Sequence, residues 1–256
     1  MIRKSILALV SIVIAASIFP GSLSAQGTNR NFNGRFPGGR EMAMPFFSRE
    51  EAPHLENVLP NPPELDDSRF ADDWNKYLWG KSIRETERGQ QAIADASINA
   101  DYFMKRFSPA MECELTKEAY PALYKLIERA HRTEGLSGAS AKAYFKRVRP
   151  YQQFKEPTAV PNQENPNDFT SYPSGHTHAS WLVGMILTAI DPGHTEPIMK
   201  VAYELGQSRV IVGFHYQSDV DAGRVAASIT FARICAEPEF LDLLQQAKDE
   251  FKKNSK

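Results

Sequence analysis

The run WLVGMILTAI, Trp181 to Ile190, is apolar on all sides. A helix with that pattern has no face to offer water, so it has to pass through the middle of a core. Ten residues are too few to cross a bilayer, which takes about 20. The rest of the chain has to pack around this segment.

The surrounding pattern is helical as well. Phe70, Trp74 and Tyr77/Leu78 fall on one face, and Ile93 to Phe103 continue in the same style. Leu123, Leu126/Ile127 and Ala130 follow Pro121, a residue suited to a first helical turn. Ile198, Val201/Ala202 and Leu205 predict a further amphipathic helix, Val220 to Ile234 another, and Phe240, Leu243/Leu244, Ala247 and Phe251 a last one. No segment alternates convincingly as a strand. The expected fold class is all-α, a single-domain helical bundle, because about 230 residues suffice for one core and no interior linker divides them.

At the N-terminus Arg3 and Lys4 precede an apolar stretch from Ile6 to Phe19, then a Pro-Gly break and small residues up to Ala25. This is the pattern of a secretory signal cleaved near Ala25, with residues 1–25 removed. A membrane anchor is the alternative, but the stretch is short for a span and no charge follows it. The mature chain keeps 28 Lys+Arg against 31 Asp+Glu, so no basic field invites nucleic acid. Export leads to a periplasmic or secreted protein with no membrane span once the signal is gone. Cys113 and Cys235 would meet an oxidising compartment, which predicts one disulfide, with two buried free thiols as the alternative. Residues 26–66, with FNGRFPGGR and LPNPPELDD, show no periodicity and read as a tail or wrapping arm. The helical domain is expected over 67–256.

Three segments are not explained by packing. In AKAYFKRVRP, Lys142 and Arg149 are two helical turns apart and point the same way if the helix continues to Pro150. Lys146 and Arg147 make a solvated basic helix end the plainer reading. In SYPSGHTHASW, Pro173 fixes the approach, Ser174 is a natural cap, and Gly175 lets backbone N–H groups near a ligand at the positive end of the buried helix. His176 and His178 follow it. In SRVIVGFHYQSDVDAGR, a helix starting near His215 would make His215 and Asp219 an i, i+4 pair, so the carboxylate could hold one ring nitrogen and leave the other directed outward. A helix-surface contact is the plainer reading of that pair on its own.

Taken together, Lys142-x6-Arg149-Pro150, Pro173-Ser174-Gly175-His176 and Ser208-Arg209-x5-His215-x3-Asp219 resemble the signature of the type 2 phosphatidic acid phosphatase superfamily. That superfamily also contains vanadium haloperoxidases and bacterial acid phosphatases. Within it the chain is most similar to the class A bacterial non-specific acid phosphatases, a likeness that extends through LPNPPELDDS, RGQQAIADA and ELGQSRVIVGFHYQSDVDAGR.

The resemblance implies an acid phosphatase acting on a broad range of phosphate monoesters, with its site at helix ends. His215 would attack phosphorus, Asp219 would stabilise the imidazolium, and His176 would protonate the leaving alkoxide and then activate water. Lys142, Arg149, Arg209, Ser174 and the Gly175 amide would hold the phosphoryl oxygens. His178 is left without a role, as a helix-start residue that could line the site. Inorganic phosphate and vanadate are the expected inhibitors. No metal or other cofactor is expected: a zinc site built on His176 and His178 would leave the cations unexplained, and Asp219 with Asp221 is a thin cluster for magnesium. A vanadate-dependent haloperoxidase and a non-catalytic phosphate-binding protein are the other classes these residues allow. Tyr151, Phe154 and Tyr172 could stack on a leaving group or pack in the core. The stretch YQQFKEPTAVPNQENPNDFTSY could rim the cleft. A homo-oligomer stays open.

Overall fold

The computed structural model describes residues 43–254. The expected signal segment and the residues of the expected arm before 43 lie outside the described residues. The helices are α1 (Phe70–Ser82), α2 (Glu87–Ala94), α3 (Ala100–Phe107), α4 (Pro121–Phe145), α5 (Pro150–Phe154), α6 (Gly175–Ile190), α7 (Thr195–Ile211), α8 (Gln217–Ile234) and α9 (Pro238–Asn254). No strand occurs among the described residues, and the fold is all-α.

The apolar run is the central part of α6. It packs against α7, α8, α4 and α9, with Leu182, Val183, Ile186 and Leu187 fully buried. The N-terminal turn of α6 is gripped more closely than the rest. A Cβ at Gly223 of α8 would lie 2.8 Å from the Ser174 carbonyl oxygen, and one at Gly206 of α7 would lie 3.0 Å from Thr177 Cγ2. Those two glycines bring α7 and α8 against the end of α6 that the site uses. Pro121 opens α4 as expected, and the Glu250 carboxylate of α9 accepts the Ala122 and Leu123 amides that the first turn leaves without partners.

Several expectations need correction. The segment Ile93–Phe103 is two helices, parted where Asn99 turns extended and caps α3 by accepting the Tyr102 amide at 2.8 Å. Helix α4 ends at Phe145, since Lys146 adopts left-handed geometry at φ 48°. Lys142 and Arg149 therefore do not share a helix. In α1 the inner face carries Asp73, Tyr77 and Gly80, while Trp74 and Leu78 are substantially exposed. Both cysteines are free thiols. Cys113 has a hydrogen bond with Tyr120 and Cys235 ends α8, each contributing to the core as a small half-buried group.

Residues 43–66 wrap the bundle through a few anchors. Phe46 packs edge-on against Phe240 with ring centres 5.3 Å apart. Leu55 and Leu59 are buried with Tyr172 and Ala226. The Pro60 carbonyl accepts Tyr172 Oη at 2.7 Å. No helix of the described residues is long and apolar enough to cross a membrane.

Candidate active site

Ser174 caps α6 with extended backbone, and its hydroxyl accepts from the Thr177 amide and hydroxyl. The helix N-terminus opens on a cavity of about 520 Å³, lined among others by Lys142, Arg149, Gly175, His176, Arg209 and His215. Chain segments far apart in sequence thus deliver the expected groups to one hollow. Ser174 is fully buried behind it. Asp219 is also fully buried, in contact with His215.

His176 and His178 diverge because residues two apart on a helix point about 200° away from each other. The ring of His176 lines the cavity, and its Nε2 donates to the Ala96 carbonyl at 2.8 Å. A carbonyl can only accept, so this contact sets the Nε2–H tautomer. His178 does not line the cavity. It enters the core between α4 and α8, where Nε2 meets Thr230 Oγ1 at 2.8 Å, and burial pushes its pKa down to about 3.

His215 precedes the helix that was expected to contain it. Helix α8 begins at Gln217, and Asp219 sits in its first turn, where Oδ2 accepts the Tyr216 amide at 3.0 Å and His215 Nδ1–H at 3.2 Å. The pair forms through helix capping instead of i, i+4 stacking on a helix face. On the other side of the ring, Arg149 Nη1 lies 2.9 Å from His215 Nε2. A carboxylate accepts and a guanidinium donates, so the ring is Nδ1–H with its lone pair on Nε2. Burial first, then Arg149, holds the His215 pKa down to about 3 against the pull of Asp219.

Asp219 remains ionised although buried. Burial alone would raise its pKa, but Arg147, His215 and Ser171 together hold it well below the ordinary carboxylate range. Arg147 Nη1 donates to Asp219 Oδ1 at 2.6 Å, and Ser171 Oγ to Oδ2 at 2.6 Å. Arg147 is not a solvated end of a basic face. It is buried, lies 4.0 Å from the Tyr216 ring centre, and also donates to Asp73 Oδ2 at 2.8 Å and to the Pro63 carbonyl at 3.2 Å.

The three expected cations are held differently. Lys142 Nζ donates to the Thr170 and Pro173 carbonyls, both at 2.7 Å; burial and Arg149 push its pKa down. Arg149 pairs with Asp168 at 2.6 Å. Arg209 is fully buried, and burial and then Arg149 lower its pKa to about 9. Phe214 lies beneath both guanidinium groups, with ring-centre distances of 4.9 Å to Arg149 and 4.6 Å to Arg209. Like charges are thus fixed side by side over an aromatic face, an arrangement that favours an anion between them.

Arg147, Phe214, Asp168 and Glu134 were not singled out from sequence. Phe214 adjoins the His215 motif, and Asp168 lies in the stretch expected to rim the cleft. From that stretch, Gln163 and Thr170 line the cavity. Tyr151, Phe154 and Tyr172 serve packing: Tyr151 Oη donates to the Asn165 carbonyl, Phe154 packs edge-on against Trp74 and tilted against Tyr77, and Tyr172 is buried under the arm.

The PAP2 superfamily profile matches residues 131–237, a span that contains every expected site residue. A non-specific acid phosphatase of Providencia stuartii is 41% identical over 201 residues, 78% of this chain and 81% of that protein. A non-specific acid phosphatase of Salmonella typhi is 36% identical, covering 81% of this chain and 84% of that protein. An acid phosphatase of Zymomonas mobilis is 30% identical, covering 76% and 74%. The chain belongs to the PAP2 superfamily and, within it, to the family of the bacterial non-specific acid phosphatases.

Proposed function

We propose that this chain is an exported acid phosphatase that hydrolyses a broad range of phosphate monoesters through a phosphohistidine on His215, without a metal ion. The observation that carries the reading is the two-sided hold on that ring: Asp219 on Nδ1–H and Arg149 on Nε2 leave a neutral imidazole whose lone pair faces the cationic cavity. The names of the relatives support phosphate monoesters as substrates.

When a phosphoryl group enters, its oxygens take over Arg149, Arg209, Lys142 and the amide end of α6. Nε2 forms its bond to phosphorus as the ester P–O bond breaks, and Asp219 stabilises the imidazolium so formed. Burial and then Arg209 hold the His176 pKa well below its ordinary value, with smaller contributions from His215 and Arg149. Two negative charges on the substrate reverse that field and let His176 carry the proton that the departing alkoxide takes. His176 then removes a proton from water, which attacks phosphorus; the P–N bond breaks and its electron pair returns to Nε2. Three side-chain cations supply the charge that a metal would otherwise supply, and they oppose the approach of another cation. Inorganic phosphate and vanadate as inhibitors belong to the same reading.

Hydrolysis of p-nitrophenyl phosphate by the mature protein is expected to proceed unchanged in EDTA. Loss of turnover restored by zinc or magnesium would overturn the metal-free assignment. The pH dependence tests the nucleophile. With its pKa held down to about 3, His215 stays neutral and able to attack at all higher pH. The acid limb of kcat/KM is then expected well below the value near 6.5 of an ordinary histidine, once the substrate's second ionisation near pH 6 is allowed for. A limb that stays near pH 6.5 after that allowance argues for a different nucleophile.

A further inference from the structure

One wall of the cavity carries an acid that the mechanism above does not use. Glu134, on α4, is 5% exposed and lines the cavity. Its Oε1 lies 3.2 Å from the point where a Cβ of Gly175 would stand, which places the carboxyl beside the amide end of α6. It accepts no hydrogen bond from the described residues. His178 Nδ1 stops 3.7 Å from Oε1, His131 Nδ1 stops 3.7 Å from Oε2, and both ring nitrogens are buried with no hydrogen-bond partner among the described residues.

A carboxylate here would put a negative charge in the space meant for a phosphate dianion. The oxygens of a dianion can only accept, so the form of Glu134 compatible with a bound anion is the one with a proton to donate. The groups facing it are His131 and Lys142 on its own helix and His178 on α6, with Arg149, Arg209, His176 and His215 across the cavity. Lys142 has two carbonyl acceptors of its own, and burial lowers the pKa of both histidines, that of the fully buried His178 to about 3. Burial raises the Glu134 pKa well above the usual carboxylate range, opposed only by Lys142.

We propose that Glu134 is a further oxyanion ligand of this site, binding through its proton: its neutral carboxyl donates an O–H hydrogen bond to an oxygen of the bound phosphoryl group or of inorganic phosphate. This rests on reading the cavity as the phosphoryl site. It gives the site a neutral donor on α4, beside the cations on the other elements. It also ties anion binding to one proton, which is lost when the carboxyl ionises.

The test uses sulfate, a dianion whose charge does not change across the working range, with the purified protein near pH 6. In the infrared difference spectrum on sulfate binding, a protonated-carboxyl stretch should shift to lower frequency, and Glu134→Gln should abolish that signal. As a competitive inhibitor, sulfate should bind Glu134→Leu about tenfold more weakly than the parent and Glu134→Gln nearly as well, because an amide restores a donor. If Glu134→Leu does not fold, the infrared measurement on the parent and Glu134→Gln decides alone. No sulfate-dependent carboxyl signal, or unchanged affinity in a folded Glu134→Leu, overturns the inference and leaves the cationic site standing. Sulfate that fails to inhibit the parent at all would remove the anion site itself, and this inference with it.

Discussion

His215→Ala is expected to lose turnover of p-nitrophenyl phosphate by on the order of 10⁴-fold or more and to form no phosphoenzyme, since removing a nucleophile removes the whole covalent route. His176→Ala should differ in kind. A nitrophenolate leaves without a proton, so phosphorylation should persist, whereas hydrolysis of the intermediate needs the base that has been removed. The phosphoenzyme should then accumulate. With alkyl phosphates the same variant should also lose the first step, by on the order of 10²- to 10⁴-fold. Alkaline quenching, under which phosphohistidine survives, followed by mass spectrometry locates the phosphate. Its appearance on any residue other than His215, or in His215→Ala, would reverse the roles given to the two rings.

Arg147→Met is expected to produce the largest combined loss of stability and rate. Without the guanidinium, Asp73 and Asp219 are left as buried carboxylates without a countercharge, which costs about 3 to 5 kcal/mol in measured cases of broken buried pairs. Asp219 contributes stability in its ionised form, because its pKa is depressed in the folded state. That contribution is present above the unfolded value near 4 and is lost as pH falls through the folded one. In urea titrations the gap between parent and variant should therefore be widest near neutral pH and narrow in acid. For the reaction, Asp219 should take up a proton more readily, so the acid limb of kcat moves to higher pH, and a misaimed His215 should lower kcat by on the order of 10²-fold. Arg147→Lys should restore part of both effects. A variant that is merely less stable, with an unmoved pH limb, would show that Arg147 does not act through Asp219.

The burial of a helix and its cap follow from neighbouring residues, whereas the charged pairs of the site depend on distant partners. The burial of α6 follows from its own ten apolar residues, and the Ser174 cap from its neighbours. Arg147 reads as one more solvated charge because Lys146 beside it makes the segment simply basic. Its acceptors lie 72 and 74 residues away, at Asp219 and Asp73, and no local pattern points to them. The same holds for α1: apolar spacing favoured Trp74 and Leu78 as inner residues, yet the helix turns Asp73 inward because Ser218 and Arg147 await it there. Helix α4 stops at Phe145, where Lys146 turns left-handed, and α8 starts at Gln217, so Arg149 and His215 both stand outside the helices that periodicity alone would give them.

Arg209 has wider consequences than the part in catalysis proposed for it. It is a fully buried cation whose Nε finds no acceptor among the described residues, packed over one ring with a second guanidinium beside it. In folding terms the chain encloses more positive charge than its own side chains neutralise there, so substrate and product are counter-ions that its core lacks. Whatever binds the native state alone stabilises it by mass action, about 2.7 kcal/mol at a hundred times the dissociation constant. Inorganic phosphate should therefore raise the melting temperature with its concentration, and Arg209→Met should blunt that rise while leaving the phosphate-free protein no less stable. The residue that makes the pocket attractive to a phosphoryl group would then also make the enzyme's durability a function of how much phosphate surrounds it.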